Sequence, residues 1–160
     1  MSSARAASVT IRPLAAGEPP PWPLLLLADP SQAMIGSYVG RGRVFVAEEE
    51  GRVVGEYVLL ETRPATAEIV NVAVAEDRQG HGVGRALVLD AIAQARASGC
   101  RTLEIGTGNA GIGQLALYQR CGFRIVGVDL DFFTRHYPEP IEENGIACRD
   151  MIRLALDLRG

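Results

Sequence analysis

The chain has 160 residues, 48% apolar and 22% charged, the proportions of one globular domain with an ordinary buried core and no need of a second. Its net charge of -3 speaks against a nucleic-acid partner, which calls for a concentrated basic face; an anionic small molecule needs only a local patch. Three cysteines without C-x-x-C spacing and two histidines far apart in sequence speak against a disulfide framework and a zinc site, so no metal is expected.

Residues 8–14 (SVTIRPL) alternate apolar and polar positions, which predicts a half-buried first strand ahead of the proline-rich stretch 19–23. One or two short helices are expected over residues 22–39. The apolar run at 24–27 is bracketed by prolines and far too short to span a bilayer, and residues 1–7 lack a leader core, so a cytoplasmic protein without a membrane partner is expected. Residues 43–47 and 53–61 are rich in strand formers, and Glu50-Gly51-Arg52 between them reads as a hairpin turn. The segment EIVNVAV, residues 68–74, carries apolar residues at both parities and predicts a central strand covered on both faces.

Residues 81–98 give the clearest helix, with Val83, Leu87, Val88, Ala91, Ile92 and Ala95 along one side and Gly99 to end it. A short strand at 102–105, a short helix at 113–120, a strand at 123–130 and a last strand at 150–158 follow, with 131–149 as the longest irregular stretch. This order predicts a single α/β (α+β) domain over residues 1–160, one mixed sheet with helices on both faces.

The segment with most chemistry in it is Gln79-Gly80-His81-Gly82-Val83-Gly84-Arg85, which joins the predicted central strand to the long helix. Glycines let a ligand approach the backbone, and the first amides of a helix have no internal partner, so together they make an anion site suited to a diphosphate. The helix dipole places about half a positive charge there, and Arg78 or Arg85 adds a charge-assisted bond. The alternative is that the glycines only shape a tight turn.

Gln79-x-x-Gly82-x-Gly84 resembles the Q/R-x-x-G-x-G/A cofactor motif of the GNAT acetyltransferases, and Asn109 with Tyr118-x-x-x-Gly122-Phe123 resembles the second cofactor segment of that family. The match is carried by residues 67–130. The resemblance implies a mixed, mostly antiparallel sheet of six to seven strands, splayed between the strands at 68 and 102 to admit acetyl-CoA. It implies that the backbone of Val72, Ala73 and Val74 pairs with the pantetheine arm, that Gly80, His81, Gly82, Val83, Gly84 and Arg85 bind the pyrophosphate behind Gln79, and that Asn109 lies near the cofactor. It also marks Tyr118 as the general acid for the departing thiolate, the alternative being a tyrosine packed at a helix end. Glu68, at the position of a catalytic glutamate in the histone-acetyltransferase branch, is either the general base or a solvated strand-end carboxylate.

A rival reading rests on Gly106-Thr107-Gly108-Asn109-Ala110-Gly111, a formal G-x-G-x-x-G that also resembles the first motif of S-adenosylmethionine methyltransferases. Too little chain follows it for the strands and crossovers of a doubly wound domain. The expected function is therefore transfer of an acetyl group from acetyl-CoA to an amine in a ternary complex, with a non-catalytic CoA-binding module as the alternative. The acceptor, a small-molecule or peptide amine, is not specified by any motif; acidic residues such as Asp129, Asp131 and Glu143 hint at a cationic one, and a homodimer through the final strands is compatible with the pattern.

Overall fold

The computed structural model describes residues 8–159; the seven N-terminal residues, read above as lacking a leader core, lie outside them. The chain runs β1 (Thr10–Pro13), α1 (Trp22–Ala28), α2 (Gln32–Tyr38), β2 (Arg43–Glu49), β3 (Arg52–Arg63), β4 (Thr66–Val74), a 3-10 turn (Glu76–Arg78) and α3 (Val83–Ala97). It continues through β5 (Thr102–Gly108), α4 (Ile112–Arg120), β6 (Arg124–Asp129), α5 (Phe132–His136), β7 (Glu142–Glu143), β8 (Ile146–Ala147) and β9 (Met151–Asp157). Seven strands form one sheet in the order β1-β2-β3-β4-β5-β9-β6, in which β4 and β5 are parallel and the other pairs antiparallel. The mixed, mostly antiparallel sheet predicted from the sequence is present.

Local chemistry accounts for the punctuation. Glu50 and Gly51 take φ of 51° and 78°, the left-handed pair that matches a two-residue turn to strand twist, so β2 and β3 form a tight hairpin. The Ser31 side chain accepts from the Met34 amide at 3.1 Å and caps α2. The predicted stripe of α3, from Val83 to Ala95, is buried against Phe45, Tyr57, Leu103 and Ile105 on one sheet face. Helices α1 and α2 cover the other face with Leu25 and Ile35 against Val44 and Val58. Truncating a fully buried leucine such as Leu87 to alanine removes about 2–5 kcal/mol of stability.

Two sequence expectations need correction. Residues 131–149 are not irregular: they hold α5 and a separate small hairpin of β7 and β8 whose turn, Asn144-Gly145, has φ of 55° and 72°. Strands of two residues are too short to show alternation, although Asn-Gly is the sequence signal for such a turn. The residues Gly106, Thr107 and Gly108 are not a loop after a strand but the end of β5 itself, paired with Arg153, Ile152 and Met151. A Cβ at Gly106 would stand 2.6 Å from the Met151 sulfur, and one at Gly108 would overlap the Cys148 sulfur, so close packing explains these glycines without a nucleotide.

The feature that positions the site is an incomplete pairing. β4 and β5 are in register only from Thr66↔Thr102 to Ile69↔Ile105, after which both strands continue apart. At the same level the β3–β4 register shifts, with Val58 opposite Asn71 and Leu59 opposite Ile69, so Val70 is an extra residue. Such a bulge bends its strand and frees it from its neighbour. Among the described residues no helix is long and apolar enough to cross a membrane.

Candidate active site

The opening between β4 and β5 exposes one edge of Val72, Ala73 and Val74, whose other edge pairs with Tyr57, Glu56 and Gly55 of β3. Buried backbone donors and acceptors are nearly always paired, so this edge is a place for a polar ligand chain to lie. Beyond it, Gln79 turns back and donates from Nε2 to the Val74 carbonyl at 3.1 Å, pinning the loop to the strand end. Gly80 and Gly82 then take φ of 79° and 85°, and a Cβ at Gly80 would meet nothing within 4 Å.

The first backbone bond of α3 runs from the Ala86 amide to the Gly82 carbonyl at 3.1 Å; ahead of it the amides of residues 80–85 reach no acceptor among the described residues. Because α3 continues for 15 residues, its dipole reinforces this cluster of donors. His81 and Arg85 are exposed beside it, whereas Arg78 is engaged with Glu49 at 2.9 Å. The site therefore offers main-chain N–H groups first and side-chain charge second, which is the donor set a diphosphate requires.

Tyr118 projects from α4 and is buried, its ring tilted against Phe123 with centroids 6.4 Å apart. Its hydroxyl makes no hydrogen bond among the described residues, and burial pushes its pKa well up, so the phenol stays a proton donor at every working pH. Asn109 follows the last residue of β5 and is engaged by its side chain. Its Oδ1 accepts from the amides of Arg149 and Asp150 at 2.8 and 3.0 Å and its Nδ2 donates to the Ala147 carbonyl at 3.1 Å, so its side chain fastens the segment before β9 to the end of β5.

On the face that α1 and α2 cover, a cleft of about 500 Å³ opens over β4, β5, β9 and β6, lined by Arg63, Glu68, Glu104, Val126, Asp129 and Arg153 among others. Glu68 and Glu104 are register partners and stand side by side. Arg63 bridges Glu104 at 3.0 Å, whereas Glu68 has no hydrogen-bond partner among the described residues. Burial raises the Glu68 pKa; Arg153 and Arg63 oppose this and the neighbouring Glu104 adds to it. A carboxylate with raised basicity and free oxygens at the floor of a cleft has the properties of a general base.

Sequence reasoning missed the polar layer behind this cleft. Asn71 Nδ2 donates to the Leu25 carbonyl and to the Tyr38 hydroxyl at 3.0 and 2.9 Å, and Asp29 accepts from Tyr38 and Tyr137 at 3.2 and 2.8 Å. This network ties α1, α2 and α5 to β4. Next to it Glu56, 0% exposed, has both carboxylate oxygens without a partner, and Asn71 Oδ1 is also unpartnered. The sequence signal for Glu56 was a lone charge inside the apolar run of residues 53–60. Among the described residues no three His, Cys, Asp or Glu side chains cluster as metal ligands.

The model of the acetyltransferase (GNAT) family matches residues 12–123, most of the chain, including the open β4 edge, the glycine loop and Tyr118. The chain belongs to the GNAT acetyltransferase family. It is 58% identical over 135 residues, 84% of this chain and 87% of the relative, to the uncharacterized N-acetyltransferase YvbK of Bacillus subtilis strain 168. Among solved structures it resembles the IAA acetyltransferase from Bacillus cereus ATCC 14579, with 55% identity, a TM-score of 0.91 and coverage of 94% of this chain and 99% of that one. A GNAT acetyltransferase from Elizabethkingia anophelis with acetyl-CoA bound gives 47% identity, a TM-score of 0.91 and coverage of 93% and 97%. The chain is thus an N-acetyltransferase by family, as the two glycine-bearing motifs implied.

Proposed function

We propose that the chain moves the acetyl group of acetyl-CoA directly onto the amine of a small acceptor bound in the Glu68 cleft. In this reading the amides of Gly80, His81, Gly82, Val83, Gly84 and Arg85 hold the diphosphate, and the free edge of Val72, Ala73 and Val74 pairs with the pantetheine arm. The observation that carries it is the run of unpartnered amides at the start of α3 beside strands that stop pairing at Ile69 and Ile105. The acetyl-CoA bound to the Elizabethkingia anophelis relative supports the choice of cofactor.

The amine nitrogen forms a bond to the thioester carbonyl carbon while the carbon–sulfur bond breaks and the sulfur leaves with its electron pair. Tyr118 gives its proton to that sulfur. Against reference values of ~10 for a phenol and ~8.5 for a thiol, the transfer is uphill by about 2 kcal/mol, and burial of Tyr118 adds to this, so a positioned hydrogen bond has to offset it. Glu68, directly or through water, takes the proton that the amine loses, and a main-chain amide among Val72, Ala73 and Val74 faces the developing oxyanion. Asn109 holds the segment before β9 at the end of β5, where the cofactor would pass. We place the reaction in the cytoplasm, with a small-molecule amine as partner.

Titration calorimetry of the folded protein tests this directly: coenzyme A and acetyl-CoA bind with measurable heat, and an amine panel with acetyl-CoA releases free thiol. Absence of heat with both ligands overturns the reading.

A further inference from the structure

Of the acids that suggested a cationic acceptor, Asp129 and Asp131 are neutralised in the structure. Asp129 is bridged by Arg135 at 2.9 Å and Asp131 by Arg149 at 3.1 Å, while Glu104 is bridged by Arg63. Two cleft groups are left under-engaged. One is the Glu68 carboxylate, which has no hydrogen-bond partner among the described residues. The other is the Arg153 guanidinium, whose contact with Asp129 is long at 3.4 Å and whose face lies 5.4 Å from the Phe132 ring centroid. A cation stacked on a ring keeps its edge of N–H donors available.

The floor beneath Arg153 explains its freedom. Its register partners on the two flanking strands are Gly106 and Gly127, so no neighbouring side chain crowds it in that row, and a Cβ at Gly127 would meet nothing within 4 Å. Glu68 stands on the same sheet face two strands away and, because its row on β9 is Ala155, two residues along; at ~4.8 Å per strand and ~3.4 Å per residue that is roughly 12 Å between Cα atoms, a gap that two long side chains narrow from either side. Val126, the extra residue at the β6 register shift, stands at the cleft wall with more than half its surface exposed, giving an apolar side.

We infer that the acceptor is a small zwitterion of the amino-acid type, its amine at Glu68 and its carboxylate on the fork of Arg153, with an apolar side chain towards Val126. A guanidinium matches a carboxylate in two parallel N–H···O bonds, keeps its charge at all relevant pH, and has no use for an acceptor that carries only amines. This rests on the acetyltransferase reading above and adds the acceptor's chemical class to it.

Matched pairs test it: leucine against leucinamide and phenylalanine against phenylalaninamide, each with acetyl-CoA, read as thiol release. The carboxamide has the less basic amine and so the larger neutral fraction, which biases the comparison against the inference. The expected result is a kcat/KM at least about tenfold higher for the carboxylate form, set mainly by KM. Arg153→Gln brings the ratio to about one, and Arg153→Lys retains part of the preference. Coenzyme A affinity, measured in the same variants, reports that the fold is kept. A carboxamide acetylated as well as or better than its amino acid, or an Arg153→Gln loss shared equally by both, overturns the inference while the acetyltransferase reading stands. If acetyl-CoA binds and no amine is acetylated, the proposed chemistry fails by itself. Calorimetry of leucine and phenylalanine against the coenzyme A complex then decides for the zwitterion site if heat is lost in Arg153→Gln, and against it if no heat is seen.

Discussion

In the proposed mechanism the cofactor half and the acceptor half of the site are made of different materials. The α3 side offers main-chain amides and Gly80 and Gly82 in left-handed conformation; the α1 and α2 side offers carboxylate and guanidinium groups standing on the sheet. A backbone site is indifferent to most side-chain changes and sensitive to conformational ones, and a side-chain site is the reverse. Tyr118, buried between the halves, belongs to neither kind of recognition and serves only the bond-breaking step in the proposed mechanism.

The comparison breaks most visibly at that residue. Tyr118→Phe is expected to lower kcat by about 10²- to 10⁴-fold with coenzyme A affinity retained, the signature of a lost general acid. Thiol release and calorimetry on one preparation measure both quantities; full turnover in the variant would return Tyr118 to a packing role beside Phe123.

On the acceptor side, Glu68→Gln is expected to lower kcat/KM by about 10²-fold. Its raised pKa fixes the sign of the pH dependence. The base form accumulates as pH climbs through a value above the usual carboxylate range, so the wild-type rate rises with pH there and the variant loses that limb. A variant with the same profile moves the base elsewhere, with Glu104 the adjacent candidate.

The two kinds of recognition separate cleanly in the loop before α3. Gly82→Val puts a β-branched side chain at φ of 85°, a strain of about 1–2 kcal/mol or more, and is expected to weaken acetyl-CoA binding about tenfold. His81→Ala and Arg85→Ala remove exposed charge or polarity and should weaken it only a few-fold, by amounts that shrink as salt is added. Equal losses in all three would mean that side chains carry the diphosphate.

The same division explains what was legible in the sequence. The α3 stripe, the β2–β3 hairpin and the glycine loop are local patterns, each readable within a dozen residues, and they appear where expected. The cleft was not readable because it is assembled by the sheet order. Arg153 reaches the floor only because β9 inserts between β5 and β6, which puts glycines from two other segments on either side of it. The engagement of Asn109 with a segment some forty residues further on was equally unreadable, since it too is made by the position of β9 beside β5. The Asn144-Gly145 turn was readable and went unread because its strands are only two residues long.

Glu56 gives the smallest and most specific effect. It shares the sheet face of Glu68, but its oxygens are buried without partners, and burial raises its pKa well above the usual range. Nearby Tyr38 and Tyr118 are themselves pushed up by burial and stay protonated, so neither competes with Glu56 for a proton at moderate pH. With the folded pKa above the unfolded one, the folded state holds the extra proton in the window between them. Stability is then greatest below the unfolded value and falls as pH rises towards the folded one. Glu56→Gln cannot titrate, so urea midpoints taken from pH 4 to pH 9 should show the variant gaining on the wild type as pH increases, by on the order of 1–3 kcal/mol at the alkaline end. Parallel curves would mean that Glu56 ionises alike in both states, and the contrast between a free, reactive carboxylate at Glu68 and a neutral, structural one at Glu56 would collapse.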